Sequence, residues 1–134
     1  ALYDPFYAHR PAVLNGRYDF ITASEVVEHL HHPGRELNRL YRLLKPGGLL
    51  GIMTKRVIDH ERFIHWHYIN DPTHVCFFSR ETFAWLTARW RARVDFVDRD
   101  VIIFVKPNPS AGPKLLVNNV PGPAQNHPTG PEKA

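Results

Sequence analysis

The sequence predicts an α/β fold: parallel strands joined by helical crossovers, closed by a C-terminal antiparallel hairpin. Two short apolar runs, Tyr18 to Ala23 and Leu49 to Thr54, lack clean polar–apolar alternation, as strands buried on both faces do. Between them Leu37, Leu40, Tyr41 and Leu44 recur at i, i+3, i+4 and i+7, the stripe of an amphipathic helix. After a further helical stretch, Val94 to Val97 and Val101 to Val105 flank Asp98-Arg-Asp100, the pattern of a tight hairpin. Strand, helix, strand, helix and a two-stranded finish imply a parallel sheet with helical crossovers and an antiparallel edge.

Each element follows from its residues. Ala1 to Asp4 reads as the end of a strand stopped by Pro5, and His9 to Arg17 as a loop. Tyr18 to Ala23 is the next strand. Thr22 or Ser24 caps a short turn after it, with Glu25 and Glu28 as charges near its positive end. His31-His-Pro-Gly34 interrupts the chain, and a helix runs from about Arg35 to Leu44. Lys45-Pro-Gly-Gly48 stops it, because Pro cannot continue a helix and Gly tolerates left-handed dihedrals. Leu49 to Thr54 is a second buried strand. Asp59 to Tyr68 fits a short helix or an ordered loop, and Asn70 to Thr73 a turn. Ser79 caps a third helix with Glu81 in its first turn and Phe83, Leu86 and Trp90 on its buried face. The organisation expected is a folded region over 1–106 and a Pro/Gly-rich disordered tail over 107–134.

The 134 residues suffice for one small domain, and three Trp and eight Phe supply material for a core. Net charge is +4, with Arg spread along the chain, which is weak ground for a nucleic-acid partner. The single Cys76 excludes an internal disulfide and a multi-cysteine metal site, and fits a reducing, cytoplasmic setting. No apolar run reaches the ~18 residues of a membrane span, and no signal peptide is visible. The oligomeric state has no signature.

Ligands of open α/β sheets sit beyond the carboxyl ends of the strands. Asp4, Ala23 to Glu25 and Thr54 to Val57 fall there in the expected topology. The segment Tyr18-Asp-Phe-Ile-Thr-Ala-Ser-Glu-Val-Val-Glu-His-Leu30, followed by Leu43-Leu-Lys-Pro-Gly-Gly48 and Leu49 to Thr54, resembles the second half of a class I S-adenosylmethionine (SAM)-dependent methyltransferase. The likeness is to quinone-biosynthesis-type members and extends over 1–106. It implies a partial Rossmann-like sheet, SAM as cofactor and a small-molecule methyl acceptor. Asp4 would then bind the ribose hydroxyls, with turn-capping as the alternative. Ala23 and Ser24 would pack against the cofactor. The family's Gly-rich loop has no counterpart upstream of Tyr18, so the resemblance is to a C-terminal portion, and weak SAM binding by this chain alone is expected. An exposed strand edge is expected with it.

Asp59 to Ser79 is dense in His and aromatic residues, and three readings are open. Trp66, Tyr68 and Phe77 suit the walls of a substrate pocket, with Phe78 beside them. His67 or His74 then serves as general base, because imidazole titrates near neutral pH, and Asp71 orients it. Alternatively His60, His65, His67, His74 and Asp71 are metal ligands, although their spacing matches no familiar motif; no metal is assigned. Or the segment is purely structural. His29, His31 and His32 read as surface loop residues. Two functions follow: SAM-dependent methyl transfer, or an interaction module without cofactor binding.

Overall fold

The computed structural model describes residues 1–110. Its main sheet has four strands. Strand β1 (Tyr18–Ser24) leads through a short 3-10 turn (Val27–His29) to helix α1 (Pro33–Leu43), which feeds β2 (Leu44–Met53). A two-residue strand β3 (Arg56–Val57), helix α2 (His60–Ile64), a 3-10 turn (His67–Asn70) and β4 (Phe78–Ser79) follow. Helix α3 (Arg80–Trp90), β5 (Arg93–Phe96) and β6 (Val101–Val105) complete the chain order. The sheet order is β1-β2-β6-β5, with β1 and β2 parallel and both pairs made by β6 antiparallel. The parallel pair, the crossover helix and the closing hairpin are those expected. The pair β3–β4, parallel and too short for periodicity to reveal, was not.

Helices α1 and α3 cover one face. Leu50, Ile52, Ile102 and Phe104 point into it and are fully buried with Leu37, Leu44 and Phe83. The alternate residues face the other way, where Phe20, Leu49 and Met53 are exposed, so this part of the sheet is single-sided among the described residues. The reading of both parallel strands as buried on two faces is corrected accordingly. Aromatic packing joins the layers: Phe83 stacks on Phe78 at 5.5 Å, and Trp90 lies against Tyr41 at 4.4 Å and Phe104 at 5.1 Å.

The helix ends are built as local chemistry requires. The Ser79 hydroxyl accepts from the Thr82 amide, while Thr82 Oγ1 accepts from the Ser79 amide, a reciprocal cap. Replacing Ser79 with Ala is expected to cost about 1 kcal/mol of stability, read as a lower midpoint in urea unfolding. At the end of α1, Lys106 donates to the carbonyls of Tyr41 and Leu44 at 3.2 and 2.8 Å.

Lys45-Pro-Gly-Gly48 does end the helix, but it is drawn into an extended β2 rather than standing before the strand. Both glycines are required. Gly47 has φ +78°, and a Cβ on Gly48 would lie 2.9–3.2 Å from the carbonyl oxygens of Lys45, Asp19 and Tyr18. A second correction concerns the start. Residues Ala1 to Tyr3 form no strand; Asp4 pairs only with Ala8 in an isolated bridge, because Pro5 turns the chain at once. The expected tail lies, from residue 111 onward, outside the described residues.

Candidate functional site

The carboxyl ends of β1 and β2 lie side by side, with Ala23 opposite Ile52 and Ser24 opposite Met53. The chain leaves β1 sharply. The Glu25 amide donates to the Met53 carbonyl at 2.9 Å, and Glu25 itself is left-handed, with φ +51°. Such a conformation is rare for a residue with a Cβ and marks a backbone held by its surroundings. The Ala23 side chain belongs to the core, so its backbone alone faces the strand end. Ser24 is exposed, its hydroxyl 3.8 Å from Met53 Sδ.

Behind this ledge is a buried polar cluster. Glu28 is 0 % exposed. Tyr68 donates to its Oε1 at 2.6 Å and Thr54 to its Oε2 at 3.0 Å. The Tyr68 hydroxyl also lies 3.2 Å from Glu25 Oε2. Burial opposes the charge on Glu28, but the hydrogen bonds, led by Tyr68, outweigh it and hold the carboxyl below its ordinary range. Glu25 shifts the other way, raised first by desolvation and then by the neighbouring Glu28. Burial and the bond to Glu28 push the Tyr68 phenol well up, which keeps it a donor.

The His-aromatic segment wraps this cluster. The Val75 and Cys76 amides donate to the Glu28 carbonyl at 2.8 and 3.1 Å. The Cys76 thiol faces the Val27 carbonyl at 3.1 Å, and burial raises it out of the reactive range. The three expected pocket aromatics do come together: Trp66 lies 4.8 Å from Tyr68 and 6.2 Å from Phe77. Tyr68, however, is buried and committed to the glutamates, so it positions groups rather than lining open space. His74 packs on Tyr68 at 4.0 Å, and its Nδ1 bonds the Tyr68 carbonyl at 2.8 Å. Asp71 reaches His74 Nε2 only at 3.7 Å, while its Oδ1 accepts from the Thr73 amide and hydroxyl at 2.9 and 2.6 Å. His67 is exposed on a separate wall. It lines a cleft of about 350 Å³ together with Lys55, Arg62, Trp66, Arg99 and Asp100. The Asp4 Oδ1 accepts from the Phe6 and Tyr7 amides, both at 2.7 Å, and caps its own turn.

A family described as methyltransferase domain matches residues 1–90. The chain belongs to this methyltransferase family. A solved structure of a candidate methyltransferase from Bacillus halodurans C-125 is similar in fold, with a TM-score of 0.52 and 18% identity. The likeness covers 59% of this chain and 36% of that one, so the chain spans about a third of the length of the solved relative. No curated protein matches in sequence. The α/β architecture of this methyltransferase domain is a partial Rossmann-like sheet, parallel at β1–β2 and antiparallel at its end. No helix among the described residues is long and apolar enough to cross a membrane.

Sequence reasoning placed Thr54 at a strand end but missed Glu28 as a site group and read it as a helix-start charge. The turn after β1 is too short to be a charged helix end, and it carries Val27 and Glu28 inward together. One signal was available. Glu28 stands between apolar Val27 and the Leu30 that packs on the core, a poor place for a solvated charge.

Proposed function

We propose that the chain carries out SAM-dependent methyl transfer to a small acceptor bearing a negative charge and a hydroxyl or amine. The observation that carries the reading is the ledge at the end of β1, where Ala23, Ser24 and left-handed Glu25 border the buried Glu28–Tyr68–Thr54 cluster in a methyltransferase domain.

The residues fit the cofactor in two respects. The Ala23 side chain is turned into the core and the Ser24 side chain is small, which leaves the strand end open to close approach of a ligand. Asp4 spends one carboxylate oxygen on its turn, and Oδ2 takes no hydrogen bond among the described residues, so it suits paired ribose hydroxyls. Ala23, Ser24 and Asp4 would thus hold the cofactor, which supplies an electrophilic methyl on a sulfonium centre. Glu28, ionised and buried, places negative charge near the ledge and is fixed by two donors.

The acceptor belongs in the cleft beside Trp66 and Phe63. Lys55 and Arg99 line it and form no ion pair among the described residues, which favours an anionic group there. His67, exposed on the same wall, is the better-placed proton acceptor; His74 is tied to the Tyr68 carbonyl and near Asp71, and acts by positioning. Transfer is an in-line displacement that depends on alignment and exclusion of water, with base catalysis worth ~10²–10⁴ in rate. Transfer of labelled methyl from SAM to a panel of hydroxy and amino acids tests this. Turnover that His67→Ala lowers at least a hundredfold, with the fold intact, supports it; turnover indifferent to His67 removes the base assignment, and none at all removes the reading.

A second reading is an interaction module without cofactor. The exposed apolar side of the sheet, with Phe20, Leu49 and Met53, favours it.

A further inference from the structure

We propose that Glu28, His29 and His74 form a binding site for one divalent first-row transition-metal ion. One ligand atom from each lies within 4.8 Å of the others. Glu28 Oε1 and His29 Nε2 are 4.0 Å apart, and the two imidazole centroids 4.8 Å apart in an edge-on arrangement.

The hydrogen bonds around these groups settle which atoms are available. His29 Nδ1 lies 3.0 Å from the Thr73 carbonyl, and His74 Nδ1 2.8 Å from the Tyr68 carbonyl. A carbonyl only accepts, so each Nδ1 carries the proton and each Nε2 presents a lone pair. An Nδ1–H held by a backbone carbonyl, with Nε2 turned inward, is the arrangement that outer groups impose on metal-binding histidines. It occurs here twice, in two imidazoles near one carboxylate. The His74 side chain is only 8 % exposed, and its Nε2 takes no hydrogen bond among the described residues, with Asp71 no nearer than 3.7 Å. Glu28 is oriented in the same manner by Tyr68 and Thr54, one donor to each oxygen, which leaves a lone pair on each.

Two imidazoles and a carboxylate suit the Mn-to-Zn row better than Mg²⁺ or Ca²⁺, which prefer all-oxygen shells. Metal–nitrogen bonds of ~2.1 Å place neighbouring ligands ~3–3.5 Å apart, so these atoms need to close by about 1–2 Å. The His29 side chain is 38 % exposed, which leaves one side of the ion open to water or another oxygen ligand. Glu25 Oε2 lies 3.2 Å from the Tyr68 hydroxyl that donates to Glu28. Of the ligands considered from the sequence, His60, His65, His67, His74 and Asp71, only His74 belongs to this set. The binding site stands whether or not the chain transfers methyl groups.

The test is a titration of the full chain with Co²⁺ in the absence of SAM, read by visible absorption and by calorimetry. The expected result is one saturating equivalent. His29→Ala and Glu28→Gln should each weaken it about tenfold or more, while the double substitution His31→Ala, His32→Ala leaves it unchanged. His29 is half-exposed, so its variant keeps the test usable if Glu28→Gln fails to fold, which circular dichroism reads. No saturable binding, binding unaffected by His29→Ala, or equal loss in the His31/His32 variant would overturn the proposal.

Discussion

Replacing Glu28 with Ala lowers stability by about 3 kcal/mol at neutral pH, the largest effect expected of any polar substitution in the described residues. The carboxylate accepts from Tyr68 at 2.6 Å and from Thr54 at 3.0 Å in a place water does not reach. Its removal leaves the Thr54 hydroxyl without that partner and the Tyr68 hydroxyl with only the longer bond to Glu25. Glu28→Gln keeps the shape and costs less, about 1 kcal/mol. The pH dependence separates charge from packing. The folded-state pKa of Glu28 lies below its ordinary 4.5, so its contribution is complete above that value and is lost as pH falls through the folded pKa. Glu25 has the opposite sign: its pKa is raised, so its ionised form opposes folding above that pKa, and acidification relieves this. Stability should therefore rise slightly on acidification towards pH 4.5 and fall below it. In Glu28→Gln the fall is reduced. Urea unfolding across that range at fixed ionic strength measures both limbs; a fall of the same size in Glu28→Gln would remove Glu28 as its cause.

Phe83→Ala has a comparable or larger effect, about 3–5 kcal/mol. Phe83 is fully buried and holds α3 to the sheet through Phe78 at 5.5 Å and Phe104 at 6.1 Å. Small domains have only about 5–15 kcal/mol in total, and among the described residues this one covers its sheet on a single face. The variant is expected to be substantially unfolded at 37 °C, with loss of near-ultraviolet circular dichroism from the packed aromatics. Phe83→Leu, which keeps most of the volume, should remain folded. Equal melting of Phe83→Ala and the parent would contradict the packing described.

Much of this architecture was legible because its signals are local. The stripe Leu37, Leu40, Tyr41 and Leu44, the Ser79 cap and the break at Asp98 to Asp100 each follow from neighbouring residues. What escaped depends on residues far apart in the chain. Glu28 becomes a buried site group only because Tyr68 and Thr54, 40 and 26 residues away, supply its donors. His29 gains a fixed orientation from Thr73, 44 residues on. Asp4 failed as a strand end for the opposite reason: the adjacent Pro5 and two local amides captured it. The aromatic cluster was found, but burial decides the role of each member, and spacing does not show that Tyr68 faces inward while His67 faces the cleft.

The most direct test of the account is an amide chemical-shift titration of the full chain with S-adenosylhomocysteine. Saturable shifts centred on Ala23, Ser24 and Glu25, extending to Thr54 and Glu28, are the predicted result. No shifts at high ligand concentration, or shifts confined to residues remote from the end of β1, would contradict a cofactor site at this ledge.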